Sequence, residues 1–127
     1  GLKVVFLGTP QFAVPTLDAV LASRHEIVGV VTQPDRPRGR GQKSTDAPVK
    51  ARARDAGLPV LQPDTLKDSA ALDAIRALGA DIGVVAAFGK ILSQTVLDIP
   101  RLGMINVHAS LLPAWRAYRT DIAGTLA

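Results

Sequence analysis

Two polar side chains, Asn106 and His108, stand at the end of a short apolar run that begins at Met104. Residues two apart on a β-strand point to the same face of a sheet, so the amide and the imidazole would lie side by side. An amide can stabilise a developing oxyanion, and an imidazole with a pKa of about 6.5 can move a proton at neutral pH. The pair therefore suits acyl transfer, whereas a single histidine at a strand end is more often a hydrogen-bonded structural residue.

The next segment along the chain, Ser110-Leu-Leu-Pro113, places two adjacent leucines in a predicted loop. Loops are usually polar because they lie at the surface, so Leu111 and Leu112 need an apolar partner. They could form one wall of a slot for a flat ligand, with Phe88 and the Ile91-Leu92 pair as the opposite wall. Core packing accounts for the same pattern equally well.

The positive charge of the chain is concentrated in residues 34–54. The whole chain has 15 Lys and Arg against 11 Asp and Glu, a formal charge of +4. In residues 34–54 seven basic residues face two aspartates, so this stretch carries +5 and the rest of the chain −1. Arginine binds phosphate oxygens through two parallel hydrogen bonds, so a flexible Arg/Gly loop beside a ligand site could hold a polyanion. The stretch has no aromatic residue to stack on bases, and a solvated charged loop is the plainer interpretation. The seven basic residues are Arg36, Arg38, Arg40, Lys43, Lys50, Arg52 and Arg54.

The composition excludes several classes of protein. The 127 residues contain no cysteine, which excludes a disulfide framework, a thiolate metal site and a cysteine nucleophile. A hydrophobic content of 47% is too high for a disordered chain, and the length suits one domain. No apolar run reaches about 18 residues and no signal-peptide pattern opens the sequence, so we expect neither a membrane span nor a secretory leader. With His25 assigned to the surface, the two histidines form no metal cluster, and we expect no metal.

The hydrophobic pattern predicts an α/β chain in which five strands alternate with four helices. Pro15 fits the first turn of the first helix, Asp46 is the expected cap of the second, and Gly79 is expected to end the third. This alternation predicts a doubly wound, Rossmann-like parallel sheet with strand order 3-2-1-4-5 and helices on both faces. The predicted strands are 3–7, 27–32, 59–62, 81–88 and 104–108, and the predicted helices are 13–23, 46–56, 69–78 and 91–97.

The predicted strand order locates a binding site. Ligands of such sheets bind beyond the carboxyl ends of the strands, where the order reverses between strands one and four. Three segments meet there: residues 8–12, 88–92 and 106–113. The first of them lacks the G-x-G-x-x-G pattern, and Pro10 removes a backbone N–H, so a dinucleotide is not the expected ligand.

Four stretches of the sequence together resemble the methionyl-tRNA formyltransferase family. They are residues 5–15 (VFLGTPQFAVP), 31–41 (VTQPDRPRGRG), 48–50 (PVK) and 105–113 (INVHASLLP), and the resemblance runs from about residue 2 to Arg116. The element in residues 105–113 is common to folate-dependent formyltransferases, including those that act on glycinamide ribonucleotide and on amino sugars. The Gly-Thr-Pro-Gln-Phe-Ala turn and the Thr-Gln-Pro-Asp-Arg loop are more specific to the initiator-tRNA enzyme.

The resemblance implies transfer of a formyl group from 10-formyltetrahydrofolate to the α-amine of methionine on initiator methionyl-tRNA. Asn106 and His108 would stabilise the tetrahedral oxyanion and assist proton transfer. A cytoplasmic monomer that needs no metal and no membrane is implied as well. Two alternatives remain: a folate-dependent formyltransferase with an amino sugar or glycinamide ribonucleotide as acceptor, and a non-catalytic folate- or RNA-binding module. By the same resemblance the folate site would include Ser110, Leu111, Leu112, Pro113, Phe88, Gly89, Ile91 and Leu92, and the tRNA would contact Arg36, Arg38, Arg40 and Lys43.

The sequence departs from the family pattern after Pro113. The family continues with a basic residue, an aromatic, Arg, Gly, two small residues and Pro, whereas Ala114-Trp-Arg-Ala-Tyr118 follows here. Residues 120–127 then resemble a segment found later in the family. We therefore expect residues 1–127 to be an incomplete N-terminal catalytic domain with a segment missing near residue 117. That segment would hold the family's catalytic aspartate, and the C-terminal β-barrel domain is expected to be absent.

Overall fold

The central element of the structure is a five-stranded parallel sheet. The computed structural model describes residues 1–35 and 46–107. The sheet order is β3-β2-β1-β4-β5, and each neighbouring pair is parallel. The predicted fold class and strand order are confirmed, including the reversal between β1 and β4. The strands are β1 (Lys3–Gly8), β2 (Glu26–Val31), β3 (Val60–Leu61), β4 (Ile82–Ala86) and β5 (Met104–Val107).

Four α-helices in the described residues connect or follow the strands. Proline occupies an early position of the first two, where its missing N–H costs no helical hydrogen bond. Asp68 caps the third, since its carboxylate accepts a hydrogen bond from the Ala71 N–H at 2.8 Å. The helices are α1 (Val14–Leu21), α2 (Pro48–Asp55), α3 (Ser69–Ala77) and α4 (Gln94–Leu97), and a 3-10 turn at Gln11–Ala13 precedes α1.

The sheet buries an apolar layer on each face. Along β1, Val4 and Phe6 belong to one cluster and Val5 and Leu7 to the other, as the alternation of a strand requires. The first cluster packs against α1 and α2, and the second packs against α3. All four of these β1 side chains are fully buried. The predicted placement of helices on both faces is thus confirmed.

Two predicted helix starts are wrong. Helix α2 begins at Pro48 behind Ala47, and Asp46 does not cap it because its carboxylate pairs with basic side chains instead. Helix α4 begins at Gln94 rather than Ile91, because the Ser93 hydroxyl accepts the N-terminal hydrogen bond there. The cap at each end is thus decided by which side chain reaches the free N–H groups, and the Asp46 carboxylate is engaged instead by Lys50 and Arg54 of the helix itself.

His25 is buried rather than at the surface, which corrects its assignment from the sequence. Only 7% of the residue is exposed. Its Nδ1 accepts a hydrogen bond from the Leu2 N–H at 2.8 Å, and the backbone N–H of His25 donates to the Ser23 hydroxyl. The imidazole therefore joins the chain ahead of β1 to the turn before β2, a contact between residues 23 apart that no local pattern indicates.

Candidate functional site

A cleft of about 500 Å³ opens at the carboxyl ends of β1, β4 and β5, and we call it the strand-end cleft. It brings together Phe12, Phe88 and Asn106, one from each of the three segments that the sequence places at this end of the sheet. Ligands of doubly wound sheets bind at this position because the strand order reverses there. The cleft is lined by Phe12, Val85, Ala87, Phe88, Gly89, Lys90, Ile91, Asn106 and Val107.

The turn after β1 forms one side of the cleft. Gly8 lies so close to β4 that a Cβ atom there would be 2.7 Å from the Ala86 carbonyl oxygen. The absence of a side chain therefore lets the chain turn tightly into the 3-10 helix at Gln11–Ala13. That turn leaves 44% of Phe12 exposed, and its ring lines the cleft.

The turn after β4 forms the opposite side. Two of its residues have left-handed backbone conformations, Ala87 with φ of 52° and Gly89 with φ of 96°. The intervening Phe88 is 3% exposed and packs in the second core cluster, which anchors the turn to the sheet. Ile91 is fully exposed, so the turn presents an apolar side chain to solvent at the cleft. With the exposed ring of Phe12 across the cleft, it gives the cleft apolar contact area on two sides.

Leu92 takes a different place from the neighbouring predicted pocket residues. It packs partly buried against the second core cluster and is not among the described residues that line the cleft. Phe88, Gly89 and Ile91 do line it. Adjacent residues of an irregular segment point in different directions, and the sequence alone does not show which of them faces the ligand.

Asn106 lies next to β4 in the sheet. Its Cα pairs with that of Val85, and its side chain is exposed at the end of β5. A carboxamide in this position has an N–H donor free to rotate towards a ligand in the cleft. Its neighbour Val107 is buried against the other face of the sheet, which holds the end of β5 in place.

A partly buried polar network lies behind the cleft wall, and sequence reasoning did not identify it. The Thr9 hydroxyl donates to the Phe88 carbonyl at 3.1 Å and accepts from the Thr32 hydroxyl at 3.3 Å. The Gln33 amide nitrogen, Nε2, donates to the same carbonyl at 3.1 Å, and its backbone N–H donates to the Thr9 hydroxyl at 3.3 Å. The available signal was a row of polar residues at the ends of two otherwise apolar strands.

Asp35 and Asp46 flank the segment 36–45, which we call the basic segment, and they form its neck. The Lys50 ammonium lies 2.6 Å from the Asp35 carboxylate and 3.3 Å from that of Asp46. Lys50 is only 8% exposed, so it is a buried cation between two partners. Hydrogen bonds from Lys50 and then from Gln62 lower the pKa of Asp35, and the bond to Asp35 raises the pKa of Lys50.

The basic residues of α2 are paired with acids. Arg52 Nε lies 2.6 Å from the Asp18 carboxylate, and Arg54 Nη1 lies 3.1 Å from that of Asp46. With Lys50 also paired, the three cations of α2 have acidic partners within the protein. The excess positive charge of residues 34–54 therefore resides mainly in the basic segment rather than on the helix.

Several predicted site residues lie outside the described residues. They are His108, Ser110, Leu111, Leu112 and Pro113 of the candidate catalytic and folate-binding set, and Arg36, Arg38, Arg40 and Lys43 of the basic segment. Among residues 1–35 and 46–107, no group of three His, Asp or Glu is arranged to hold a metal ion. In the same two ranges, no helix has both the length and the apolar character needed to cross a bilayer.

Curated relatives resemble this chain over nearly its whole length. A methionyl-tRNA formyltransferase from Chromohalobacter salexigens is 62% identical over 116 residues, covering 91% of this chain and 36% of the relative. One from Chloroflexus aggregans is 53% identical over 125 residues, covering 98% of this chain and 40% of the relative. The chain thus spans well under half the length of these relatives.

Solved structures share the fold. A glycinamide ribonucleotide transformylase from Symbiobacterium toebii superposes with a TM-score of 0.65 at 21% identity, covering 97% of this chain and 60% of the other. A phosphoribosylglycinamide formyltransferase from Campylobacter jejuni gives 0.62 at 23% identity, covering 88% and 60%. At such low identity the likeness concerns the arrangement of strands and helices.

The family assignment rests on the sequence as a whole. Residues 2–123 match the family model described as formyl transferase, a range that includes the turn after β1, the basic segment and the strand that carries Asn106. With the sheet order and the strand-end cleft in agreement, the chain belongs to the formyl transferase family.

Proposed function

We propose that this chain is the folate-binding N-terminal part of an enzyme that formylates the methionine α-amine of initiator methionyl-tRNA. The donor is 10-formyltetrahydrofolate, and the enzyme acts in the cytoplasm as a monomer without a metal. The observation that carries the proposal is an apolar strand-end cleft with an amide side chain, Asn106, on its rim. The identity of 52% to 62% to proteins named methionyl-tRNA formyltransferase supports this acceptor.

The walls of the cleft fit a flat heterocycle. Phe12 lies on one side and Phe88 and Ile91 on the other, and two of these three side chains are substantially exposed. Ring faces and a branched aliphatic chain offer contact area to an aromatic ligand and lose little conformational freedom. Leu111, Leu112 and Pro113, assigned to the folate site by resemblance, would add to this apolar surface.

The polar groups supply what formyl transfer needs. The folate donor carries the formyl group that the amine attacks, and negative charge develops on the formyl oxygen as the new C–N bond forms. The Asn106 amide donates a hydrogen bond to that oxygen, and the His108 imidazole takes the proton that leaves the amine. When the tetrahedral intermediate collapses, the bond between the formyl carbon and the folate nitrogen breaks, and that nitrogen takes up a proton and leaves as tetrahydrofolate. The family's aspartate, expected in the segment that is missing near residue 117, would orient the imidazole, as in related acyl-transfer sites.

The basic segment suits a nucleic-acid acceptor. Arg36, Arg38, Arg40 and Lys43 follow directly on the neck, and the neck is tied by Lys50 to the carboxyl-end side of the sheet. Guanidinium groups bind phosphate oxygens through paired hydrogen bonds, so this segment would hold the acceptor stem of the tRNA. A ribonucleotide acceptor offers one phosphate group, whereas a tRNA stem offers several, so four cations favour the nucleic acid.

The test is a comparison of acceptors with the full-length protein that contains this chain. We expect formyl transfer from 10-formyltetrahydrofolate to initiator methionyl-tRNA, with much slower transfer to glycinamide ribonucleotide or an amino sugar. Faster transfer to either small amine would contradict the proposed acceptor but retain the reaction. Binding of folate and tRNA without turnover would identify a binding module instead.

Two variants test the residue roles in the same assay. Asn106→Ala should lower kcat by about 100-fold or more, the effect of removing one oxyanion donor. His108→Ala should abolish transfer with little change in the dissociation constant of tetrahydrofolate, because the imidazole acts on the amine. Unchanged turnover in either variant would refute the role assigned to that residue. Thr95→Ala, an exposed change on α4, is the control and should leave kcat unchanged.

A further inference from the structure

Gln33 is bound on three sides at the end of β2. Its Nε2 donates to the Phe88 carbonyl at 3.1 Å, and its backbone N–H donates to the Thr9 hydroxyl at 3.3 Å. Its backbone carbonyl accepts a hydrogen bond from Gln62 at 3.2 Å. One residue thus contacts the turns that follow β1, β3 and β4.

The cleft wall at Phe88 depends on such support. Ala87 has a left-handed backbone conformation that is unfavourable for a residue with a side chain, and such a conformation persists only where its surroundings hold it. The Phe88 carbonyl accepts two hydrogen bonds, one from Thr9 and one from Gln33. A Cβ atom at Gly89 would lie 3.6 Å from Gln33 Nε2, so the Gln33 side chain packs directly against the turn.

The same residue is linked to the neck of the basic segment. Gln62 Nε2 donates both to the Gln33 carbonyl, at 3.2 Å, and to the Asp35 carboxylate, at 3.0 Å. Asp35 in turn pairs with the buried Lys50. Hydrogen bonds therefore run without a gap from the neck, through Gln62 and Gln33, to the wall of the strand-end cleft.

We propose that Gln33 is a positioning residue that holds the Phe88–Gly89 wall of the strand-end cleft in fixed relation to the neck of the basic segment. It touches neither the reacting atoms nor the acceptor, and its effect on the reaction passes through the turn that it holds. Stated for a folate ligand and a tRNA acceptor, the inference rests on the proposed function. Its consequence is that the donor and the acceptor are presented to each other by one connected structure.

The chemistry of the side chain gives the inference a sharp test. Because the Phe88 partner is a carbonyl oxygen, only the nitrogen side of the amide can face it. The other amide atom, Oε1, is buried and has no hydrogen-bond partner among the described residues. A Gln33→Met substitution keeps the length of the side chain and removes both atoms, so the lost donor is offset by the loss of an unsatisfied acceptor. Stability should therefore change little while the wall loses its support.

The experiment uses the full-length protein with Gln33→Met, Gln33→Glu and Gln94→Met. We expect Gln33→Met to raise KM for 10-formyltetrahydrofolate and the dissociation constant of tetrahydrofolate by about fivefold to tenfold, the range of one lost hydrogen bond. Gln33→Glu should be worse, because a carboxylate would face a carbonyl oxygen. Gln94→Met, which removes an exposed amide bound to Asp98, is the matched control and should behave as the unmodified protein.

The outcomes separate the inference from the proposed function. Folate binding that Gln33→Met leaves intact would overturn the positioning role even if tRNA is formylated. If the unmodified protein neither binds folate nor transfers formyl, the proposed function fails. The positioning role is then read from amide hydrogen exchange of residues 87–90, which must accelerate in Gln33→Met and stay unchanged in Gln94→Met. Equal exchange in the two variants would overturn it.

Discussion

At the scale of single residues, close backbone approach shapes the strand-end cleft. Gly8 ends β1 where a side chain would meet the Ala86 carbonyl oxygen, and Gly89 follows β4 in a conformation that L side chains rarely adopt. Glycine is required at position 8 because β1 and β4 approach closely there, and at position 89 because the backbone is left-handed. Both place the two turns that carry Phe12 and Phe88 beside each other.

Replacing Gly8 should therefore damage both stability and the cleft. In Gly8→Ala the new Cβ would lie 2.7 Å from a backbone oxygen and 2.9 Å from the Ala13 Cβ, and neither atom can move alone. We expect a loss of about 1–3 kcal/mol in the free energy of unfolding, as for overpacked cores. Gly29→Ala is the control, because the three atoms nearest to its Cβ all belong to the Leu78 side chain, which can rotate away. Equal free energies of unfolding for the two variants in urea would contradict this prediction.

The buried His25 predicts a pH dependence of stability. Burial, and secondarily the charge of Arg24, lowers the pKa of its imidazole from the ordinary value of 6.5. The folded state therefore resists protonation more than the unfolded state does. The stabilising effect of a neutral His25 is complete above the unfolded pKa and is lost as the pH falls below it.

We expect the urea midpoint of the unmodified protein to fall as the pH is lowered from about 7.5 to about 5.5, across the unfolded histidine pKa. In His25→Gln the decline should be shallower, since an amide can accept the Leu2 hydrogen bond at either pH. Parallel pH profiles for the two proteins would mean that other groups, and not His25, cause the dependence.

At the scale of elements, helix α2 does more than cover one face of the sheet. Val49 and Ala53 are fully buried in the first core cluster, while Lys50 on the next face joins Asp35 to Asp46. A helix that is anchored by its apolar side can hold a cation in a fixed place. The two residues that flank the basic segment, Asp35 and Asp46, therefore bind the same Lys50 ammonium group.

Removing this shared cation should loosen the neck. Lys50→Met retains much of the apolar stem but leaves Asp35 without its cation and Asp46 with Arg54 alone, so we expect a lower urea midpoint at neutral pH. Arg76→Met is the control, because it breaks an exposed pair with Asp73 within α3 and should cost little. A Lys50→Met protein as stable as Arg76→Met would show that the buried pair contributes nothing.

The pH profile of the same variant carries a signed expectation. Asp35 has a lowered pKa because Lys50 and then Gln62 donate hydrogen bonds to it. Its ionised form therefore stabilises the folded protein above the unfolded pKa of 3.8, and this stabilisation is lost as the pH falls. Lys50 has a raised pKa, so its charged form stabilises the folded protein below the unfolded pKa of 10.5. This stabilisation is lost as the pH rises through the pKa of Lys50 in the folded protein. Both losses should shrink in Lys50→Met.

At the scale of the whole molecule, pairing decides where positive charge is available. The chain carries +4, but Lys50, Arg52 and Arg54 are occupied by Asp35, Asp46 and Asp18. The excess positive charge of residues 34–54 is therefore carried mainly by the four basic residues of the basic segment, which begins and ends at the neck. A localised field of this kind steers a charged ligand towards one region of the surface.

The proposed binding of tRNA makes salt dependence a test that distinguishes the two groups of arginines. Changing Arg36, Arg38 and Arg40 together to Gln should weaken binding and reduce the slope of log K against log salt by about two to three, one phosphate contact for each arginine. The matched variant changes three paired arginines, Arg52, Arg54 and Arg76, to Gln, and its slope should change much less. Equal slopes would mean that net charge alone governs binding.

The sequence by itself determined the elements, their order in the sheet and the end of the sheet at which a cleft forms. These follow from short-range properties: apolar runs such as 82–86 form buried strands, prolines begin helices, and alternating strands and helices wind in one hand. The position of Asn106 beside Phe88 follows from the strand order and needs no further information.

Only the tertiary structure decided which side chains become partners. Thr9 and Phe88 are 79 residues apart, Gln33 and Phe88 are 55 apart, and His25 reaches Leu2 across 23. A polar residue in a loop pattern has many possible partners, and the choice depends on a few ångströms of packing between distant elements. For that reason the sequence could place Asn106 at the cleft, whereas the hydrogen-bond network behind the cleft wall could not be predicted from it.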